Sequence, residues 1–384
     1  MAVVALALPR RFALGLLLVL AASPELLRGS TVGRLSVVDV VIVALVVRNA
    51  TSRSFWRAGA PSVTSWLGIA AVTLAGLATA MGPPSGVTPF LRVAAYLVLG
   101  LTCARALAPR DVPVVLATVL GWAIGQVAAA VLSITGTDPT GLGIGRYLGT
   151  LGDPAQFGIP VAVALLLLAF SPQLLPSALW RWLTMVMLLV GLVGSNTRGA
   201  WGAAVVAATI MLASRLREGR RPGLAFFVGF TAGVAIVALS AAVTIGAPLL
   251  GLHAGSTSVR IDSITNAWEY LTHHPFSTLG LGSSPGGLPV FNTWLALGVD
   301  LTLLTSVAFA GYVVSATVAA RRISEGALAA LLVFAATTLT ESIVFGGSFV
   351  TLTWLLLLGC CSVRERGVPA APREDPAGLR TLAP

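Results

Sequence analysis

Residues 112–134 read VPVVLATVLGWAIGQVAAAVLSI, without one charged side chain. Wound as a helix, such a run satisfies its own backbone hydrogen bonds and is long enough to cross a hydrocarbon layer of ~30 Å. Comparable runs lie on both sides of it. Together they predict twelve spans, at 10–27, 34–48, 63–81, 90–107, 112–134, 157–170, 178–194, 200–214, 223–246, 287–319, 326–343 and 348–362. Composition agrees: 56% of the 384 residues are hydrophobic and only 10% charged, more apolar surface than a soluble fold could bury. The expected architecture is all-α, a polytopic transmembrane helical bundle forming one domain over 1–363. Residues 364–384, rich in proline and charge, read as a disordered cytoplasmic tail. Two runs (157–170 and 200–214) are short, and 287–319 is long enough to tilt or project. No internal repeat or second domain is visible.

The net charge is +10, and all 24 basic residues are arginine. This excess reads as dispersed among short loops between helices, which favours membrane orientation over a nucleic-acid partner. With twelve spans, 18 arginines fall on one side and 6 on the other, so the first side is expected to be cytoplasmic with both termini. That arrangement predicts a multi-pass protein of the inner (plasma) membrane. An Ala-Ala-Ser at 21–23 after the run 12–20 resembles a signal-peptide cleavage site. The twelve-span count closes only if that first span is retained. Cys103, Cys360 and Cys361 lie within apolar runs, away from His253, His273 and His274, and read as small apolar fillers without disulfide or metal.

Of the six outer arginines, Arg28, Arg34 and Arg92 flank span ends, whereas Arg146, Arg198 and Arg260 fall in short polar segments. A cation on the outer side asks for a reason. Two outer loops are long, 135–156 and 247–286. In the first, Arg146 precedes Asp153-Pro154, a helix cap followed by proline at the first helical position. The plainer reading is a loop whose arginine pairs with Asp138 or Asp153. In a tight turn, Ser195-Asn196-Thr197-Arg198-Gly199 again sets an arginine at an outward helix N-terminus, where unpaired N–H groups favour an anion. Snorkelling to lipid phosphates is the alternative. In the second long loop, capping residues at 256–258 and Pro275 bracket a short amphipathic helix. Ile261, Ile264, Trp268 and Leu271 supply its apolar face and Asp262, Asn266, Glu269 and His273 a polar stripe, in the manner of a lid. Three outer arginines in these settings suggest a pyrophosphate clamp, since the guanidinium fork matches phosphate oxygens. No paired carboxylates at metal-binding spacing, P-loop or GxSxG elbow occurs.

In this order the segments resemble the O-antigen ligase and polymerase family of polytopic membrane glycosyltransferases. The resemblance rests on Arg146-x-x-Gly149-Thr150 with Asp153-Pro154-Ala155, on Ser195-Asn-Thr-Arg198-Gly-Ala-Trp201, and on Arg260 followed by Trp268, Pro275, Gly280 and Gly282. Asn292-x-x-Leu295 with Gly298, and Glu341, complete it, so that it covers roughly 135–345. It implies transfer of a glycan from a polyprenyl-pyrophosphate donor to a glycan or lipid acceptor at the outer face of the bilayer, without a cofactor. Arg146, Arg198 and Arg260 would bind the donor pyrophosphate, with Asn292 and Glu341 as further site residues.

One position departs from that pattern. Where the family's ligases carry a histidine before the asparagine, this chain has Phe291. Asp262, Glu269, His273 or His274 could then act as base. Alternatively, activation comes mainly from stabilising the leaving group, or the usual activity has been lost. The main alternative of another class is a secondary transporter or flippase of a cell-envelope precursor, given the even span count.

Overall fold

The computed structural model describes residues 6–21, 36–58, 60–134, 154–195, 197–217, 261–276, 278–280, 290, 292–339, 341 and 349–363. Among these the regular elements are all helical. The expected span at 223–246, most of the loop 135–156, Arg146, Arg260, Phe291 and the tail 364–384 lie outside the described residues, as does the side chain of Arg198.

In chain order the helices are α1 (Arg10–Ala21), α2 (Val37–Ala50), the single turn α3 (Arg53–Trp56), α4 (Val63–Met81), α5 (Val87–Ala106), α6 (Val112–Ile134), α7 (Pro154–Phe170), α8 (Ala178–Ser195) and α9 (Arg198–Arg217). Helix α10 covers residues 261–273. It is followed by α11 (Thr293–Asp300), α12 (Leu303–Ala320), α13 (Glu325–Thr337) and α14 (Phe349–Cys361). Small polar residues start many of them. Ser36 and Asp39 form a reciprocal capping box on α2, and Ser62, Thr302 and Ser324 cap α4, α12 and α13.

Among the described residues, five helical segments are long and apolar enough to cross a membrane: Val63–Met81, Pro84–Ala106, Pro109–Leu132, Ala178–Ser195 and Leu303–Ala320. Their exposed faces carry large apolar side chains, among them Trp66, Leu77, Leu183, Val186, Val307 and Val318. Such surface is stable against lipid chains and would be an aggregation hazard in water. The shorter apolar helices sit differently. All of α14 is buried, and so is α7 from Phe157 to Leu168. A helix apolar on every side belongs inside a bundle. At 13 residues, α14 is about 20 Å long by the ~1.5 Å rise per residue, which is tolerable when other helices, not lipid, surround it. Close approach is bought by glycine: Gly100 of α5 and Gly359 of α14 face each other with no room for a side chain.

Contacts define the two ends of the bundle. At one end, the start of α1 meets the end of α5, where Arg10 Nη1 donates to Ala106 O at 3.2 Å. Arg11 approaches Asp111 there, at the start of α6. The arginines at this end do not stay dispersed as the sequence reading had it: four of them line one cavity. At the distal end, Arg92 of α5 pairs with Asp39 of α2 at 3.1 Å.

The run 287–319, expected as one helix, is broken. Helix α11 stops at Asp300 and α12 starts at Leu303. The cause lies elsewhere in the chain, because Leu279 N–H donates to Val299 O (3.3 Å) and Gly280 N–H to Asp300 O (3.0 Å). Those two carbonyls would otherwise accept the next helical hydrogen bonds. Thr302, in extended conformation, then caps the new helix through Thr305 N–H.

Candidate functional site

Several segments singled out in the sequence meet at the distal end. Helix α14 runs parallel to α5, with Gly359 against Gly100 and Cys360 beside Cys103, so its first residue points to the end that carries Arg92. There Val350 N–H donates to Gln156 Oε1 at 3.4 Å, which brings in the start of α7. One turn along α7, Gly158 lies against the loop between α8 and α9. A Cβ built on it would sit 2.7 Å from Ser195 Oγ and 3.1 Å from Thr197 Cβ. The 154–158 segment and the 195–201 segment, far apart in sequence, are therefore in van der Waals contact.

The turn at Ser195 is held by its own side chains. Ser195 is fully buried; its Oγ donates to Leu192 O at 2.6 Å and accepts from Thr197 N–H at 3.2 Å. Trp201 Nε1 donates to the same Leu192 O at 2.7 Å, tying the first turn of α9 back onto α8. These bonds account for Ser195 and Trp201 in the motif: both set the geometry of a tight reversal. The reversal delivers the α9 N-terminus, beginning at Arg198, beside the first turns of α7. Two helix N-termini side by side place two partial positive charges in one neighbourhood.

A second junction unites Asn292 and Glu341. Asn292 caps α11, its Oδ1 accepting from Trp294 N–H (3.0 Å) and Leu295 N–H (3.1 Å). Its Nδ2 donates to Leu339 O at 3.0 Å. The next residue repeats the tie: Thr293 N–H donates to Thr338 O, and Thr293 Oγ1 to the backbone O of Glu341 at 2.7 Å. The asparagine thus anchors α11 to the end of α13, which itself packs along α7 and α9.

Helix α10 lies on α11 through a small apolar cluster separate from the main core, formed by Ala267, Leu271, Val290, Ala296 and Val299. Of the expected apolar face, Leu271 alone is buried. Ser263, Ala267 and Leu271 are buried, whereas Ile261, Ile264 and Trp268 are exposed, Trp268 to 62%. The missing side chain at Gly298 of α11 makes room for Leu271 of α10, which a Cβ there would meet at 3.1 Å. The polar stripe points elsewhere again. Asp262, Glu269, His273 and His274 are all exposed. His273 Nδ1 is 2.8 Å from Glu269 O, closing the helix end, and the His274 ring lies 5.1 Å from that of Tyr270. The base candidates thus occupy the outer surface of α10, and the α11 contact is made by the opposite side.

Beyond α10 the chain is pinned to the α4–α5 turn. Gly280 has φ +85°, and a Cβ there would lie 2.9 Å from Pro83 Cγ; a Cβ on Gly82 would lie 2.8 Å from Thr278 Oγ1. Glycine is needed here for conformation and for space. Asp300 is only 2% exposed, at the α11 terminus beneath this segment. A buried acid at a helix break is a functional signal that hydropathy does not register.

No protein-family model and no curated protein matches this chain.

Proposed function

We propose that the chain is a membrane glycosyltransferase of the O-antigen ligase or polymerase type. It would move a glycan from a polyprenyl-pyrophosphate donor to an acceptor hydroxyl at the outer face of a twelve-span bundle, with the distal end facing outward. One observation carries this reading: Gly158, one turn beyond the Pro154-Ala155 of one motif that resembles that family, abuts Ser195 and Thr197 of the other, so that the starts of α7 and α9 adjoin. In the proposed reaction the acceptor oxygen attacks the anomeric carbon, and the carbon–oxygen bond to the pyrophosphate breaks. The acceptor proton passes to a base, and the lipid pyrophosphate departs with the added charge. Preorganised helix N-termini with Arg198, and Arg146 and Arg260 from the flanking loops, would stabilise that charge as it develops. A base on α10 (Asp262, Glu269, His273 or His274) would contribute a further ~10²–10⁴-fold. Helix α10 would act as the outer-loop lid, with Asn292 holding α11 beneath it.

The test is transfer by purified protein from a polyprenyl-pyrophosphate-linked oligosaccharide to candidate acceptors, without nucleotide sugar or added metal. Arg198→Ala and Arg260→Ala should each abolish transfer while leaving membrane insertion intact. Persistence of transfer in both variants defeats the clamp. The break between α11 and α12 favours a second reading, a transporter or flippase of a cell-envelope precursor, because transporters bind substrate at interrupted helices. Movement of intact lipid-linked glycan across proteoliposomes, with no glycan reaching an acceptor, would select that reading.

A further inference from the structure

At the end opposite the proposed active site, a cavity of about 570 Å³ is lined by Pro9, Arg10, Arg11, Arg48, Arg110 and Asp111. Its size lies within the ~300–1,000 Å³ range of small-ligand pockets. Three separate parts of the chain contribute arginines: the start of α1, the end of α2 and the turn before α6. Four guanidinium groups against one carboxylate leave three net positive charges around one space. Orientation in a membrane does not require such convergence, since cations spread along the loops would serve equally well.

Arg10 and Arg11 are only weakly neutralised. Arg11 Nη1 lies 4.0 Å from Asp111 Oδ1, with 42% of the Arg11 side chain exposed. Arg10 Nη1 spends its hydrogen bonds on neutral acceptors, Ser54 Oγ (3.1 Å) and Ala106 O (3.2 Å), while its Nε is buried and has no hydrogen-bond partner among the described residues. Asp111 also accepts from Ala108 N–H at 3.1 Å, a local cap that keeps its carboxylate at the cavity edge. Like charges held together repel, so a polar anion entering the cavity relieves that repulsion while it gains charge-assisted hydrogen bonds. Arginine forks match phosphate oxygens in particular.

We infer that this cavity is a binding site for a phosphate-bearing anion. Two sources share that chemistry, the headgroup of an anionic phospholipid in the adjacent leaflet and free inorganic phosphate. The experiment uses the full chain and separates them. Native mass spectrometry of wild type released from micelles containing phosphatidylglycerol and phosphatidylcholine should show selective retention of phosphatidylglycerol. Arg48→Gln combined with Arg110→Gln should weaken retention at least about tenfold, as expected for losing two charge-assisted contacts. Arg57→Gln, an exposed arginine at the end of α3 outside the cavity, should leave it unchanged. Asp111→Asn retains a capping oxygen and removes the opposing charge, so it should tighten retention several-fold; this arm stands if the double variant fails to fold. Loss of bound phosphatidylglycerol on adding millimolar inorganic phosphate assigns the site to the free ion, and resistance to it assigns the lipid headgroup. Equal retention by wild type and the double variant, an Arg57→Gln loss as large as theirs, or no tightening in Asp111→Asn overturns the proposal.

Discussion

Replacing Gly158 with alanine tests the contact on which the functional reading stands. A methyl group there would lie 2.7 Å from Ser195 Oγ and 3.1 Å from Thr197 Cβ, both in a turn that is itself buried. Neither neighbour is the free end of a flexible chain, because Ser195 Oγ is fixed by two hydrogen bonds. The turn must therefore shift by several tenths of an ångström. Overpacking of this kind costs about 1–3 kcal/mol. Gly202, four residues into α9, is the internal control, since a Cβ there meets nothing within 4 Å. Alanine at that position should stabilise by about 0.5–1 kcal/mol through helix propensity alone. The predicted signature is a lowered thermal midpoint for Gly158→Ala and an unchanged or raised one for Gly202→Ala, in one detergent at one scan rate. Under the proposed function, glycan transfer should fall by up to ~10²-fold in Gly158→Ala, because a displacement of this order misaligns both helix starts. Ser195→Ala removes the nearer clashing atom, so the Gly158→Ala penalty should shrink by about 1 kcal/mol in that background. A Gly158→Ala protein that melts with wild type and transfers glycan at the wild-type rate would refute the reasoning.

Three further predictions follow from single contacts. Gly280→Ala should cost about 1–2 kcal/mol for the left-handed backbone, before any clash with Pro83; faster hydrogen exchange confined to the peptides around 278–280 and the α4–α5 turn would report it, and unchanged exchange would contradict it. Asn292→Ala should cost about 1–2 kcal/mol by removing the α11 cap and the tie to Leu339 O, whereas Asn292→Asp should retain the cap and lose the tie; thermal midpoints that fail to rank wild type, Asp, Ala in that order count against it. Glu325→Gln removes the charge facing Arg215, whose Nε lies 2.7 Å from Glu325 Oε2, in a pair that links α9 to α13 and is about a quarter exposed; the expected loss is at most about 1 kcal/mol and should vanish in high salt, and a salt-independent loss would point to packing instead.

Much of the helical layout was legible in the chain. The runs 63–81 and 112–134 reappear as α4 and α6 without a shift, because an apolar stretch that caps itself with serine or starts at proline has no competing conformation away from water. The tight turn at 195–198 was readable for the same local reason. Three features were not. The break after Asp300 depends on Leu279 and Gly280 capturing carbonyls of a helix some twenty residues away, and no local pattern encodes that partner. The buried face of α10 was legible only at Leu271, because hydrophobicity alone does not say which apolar residues face the neighbouring helix. Ala267 and Leu271 are inside, packed with Ala296 and Val299 of α11, and Ile261 and Trp268 are outside although they too are apolar. The convergence of Arg10, Arg11, Arg48 and Arg110 on one cavity is likewise invisible along the sequence, where they look like ordinary loop charges. Periodicity and solvation free energy act on each segment separately and so decide which residues are helical. Which helix ends meet, and which side chains share a space, is decided by packing between segments, where a single missing Cβ determines what fits.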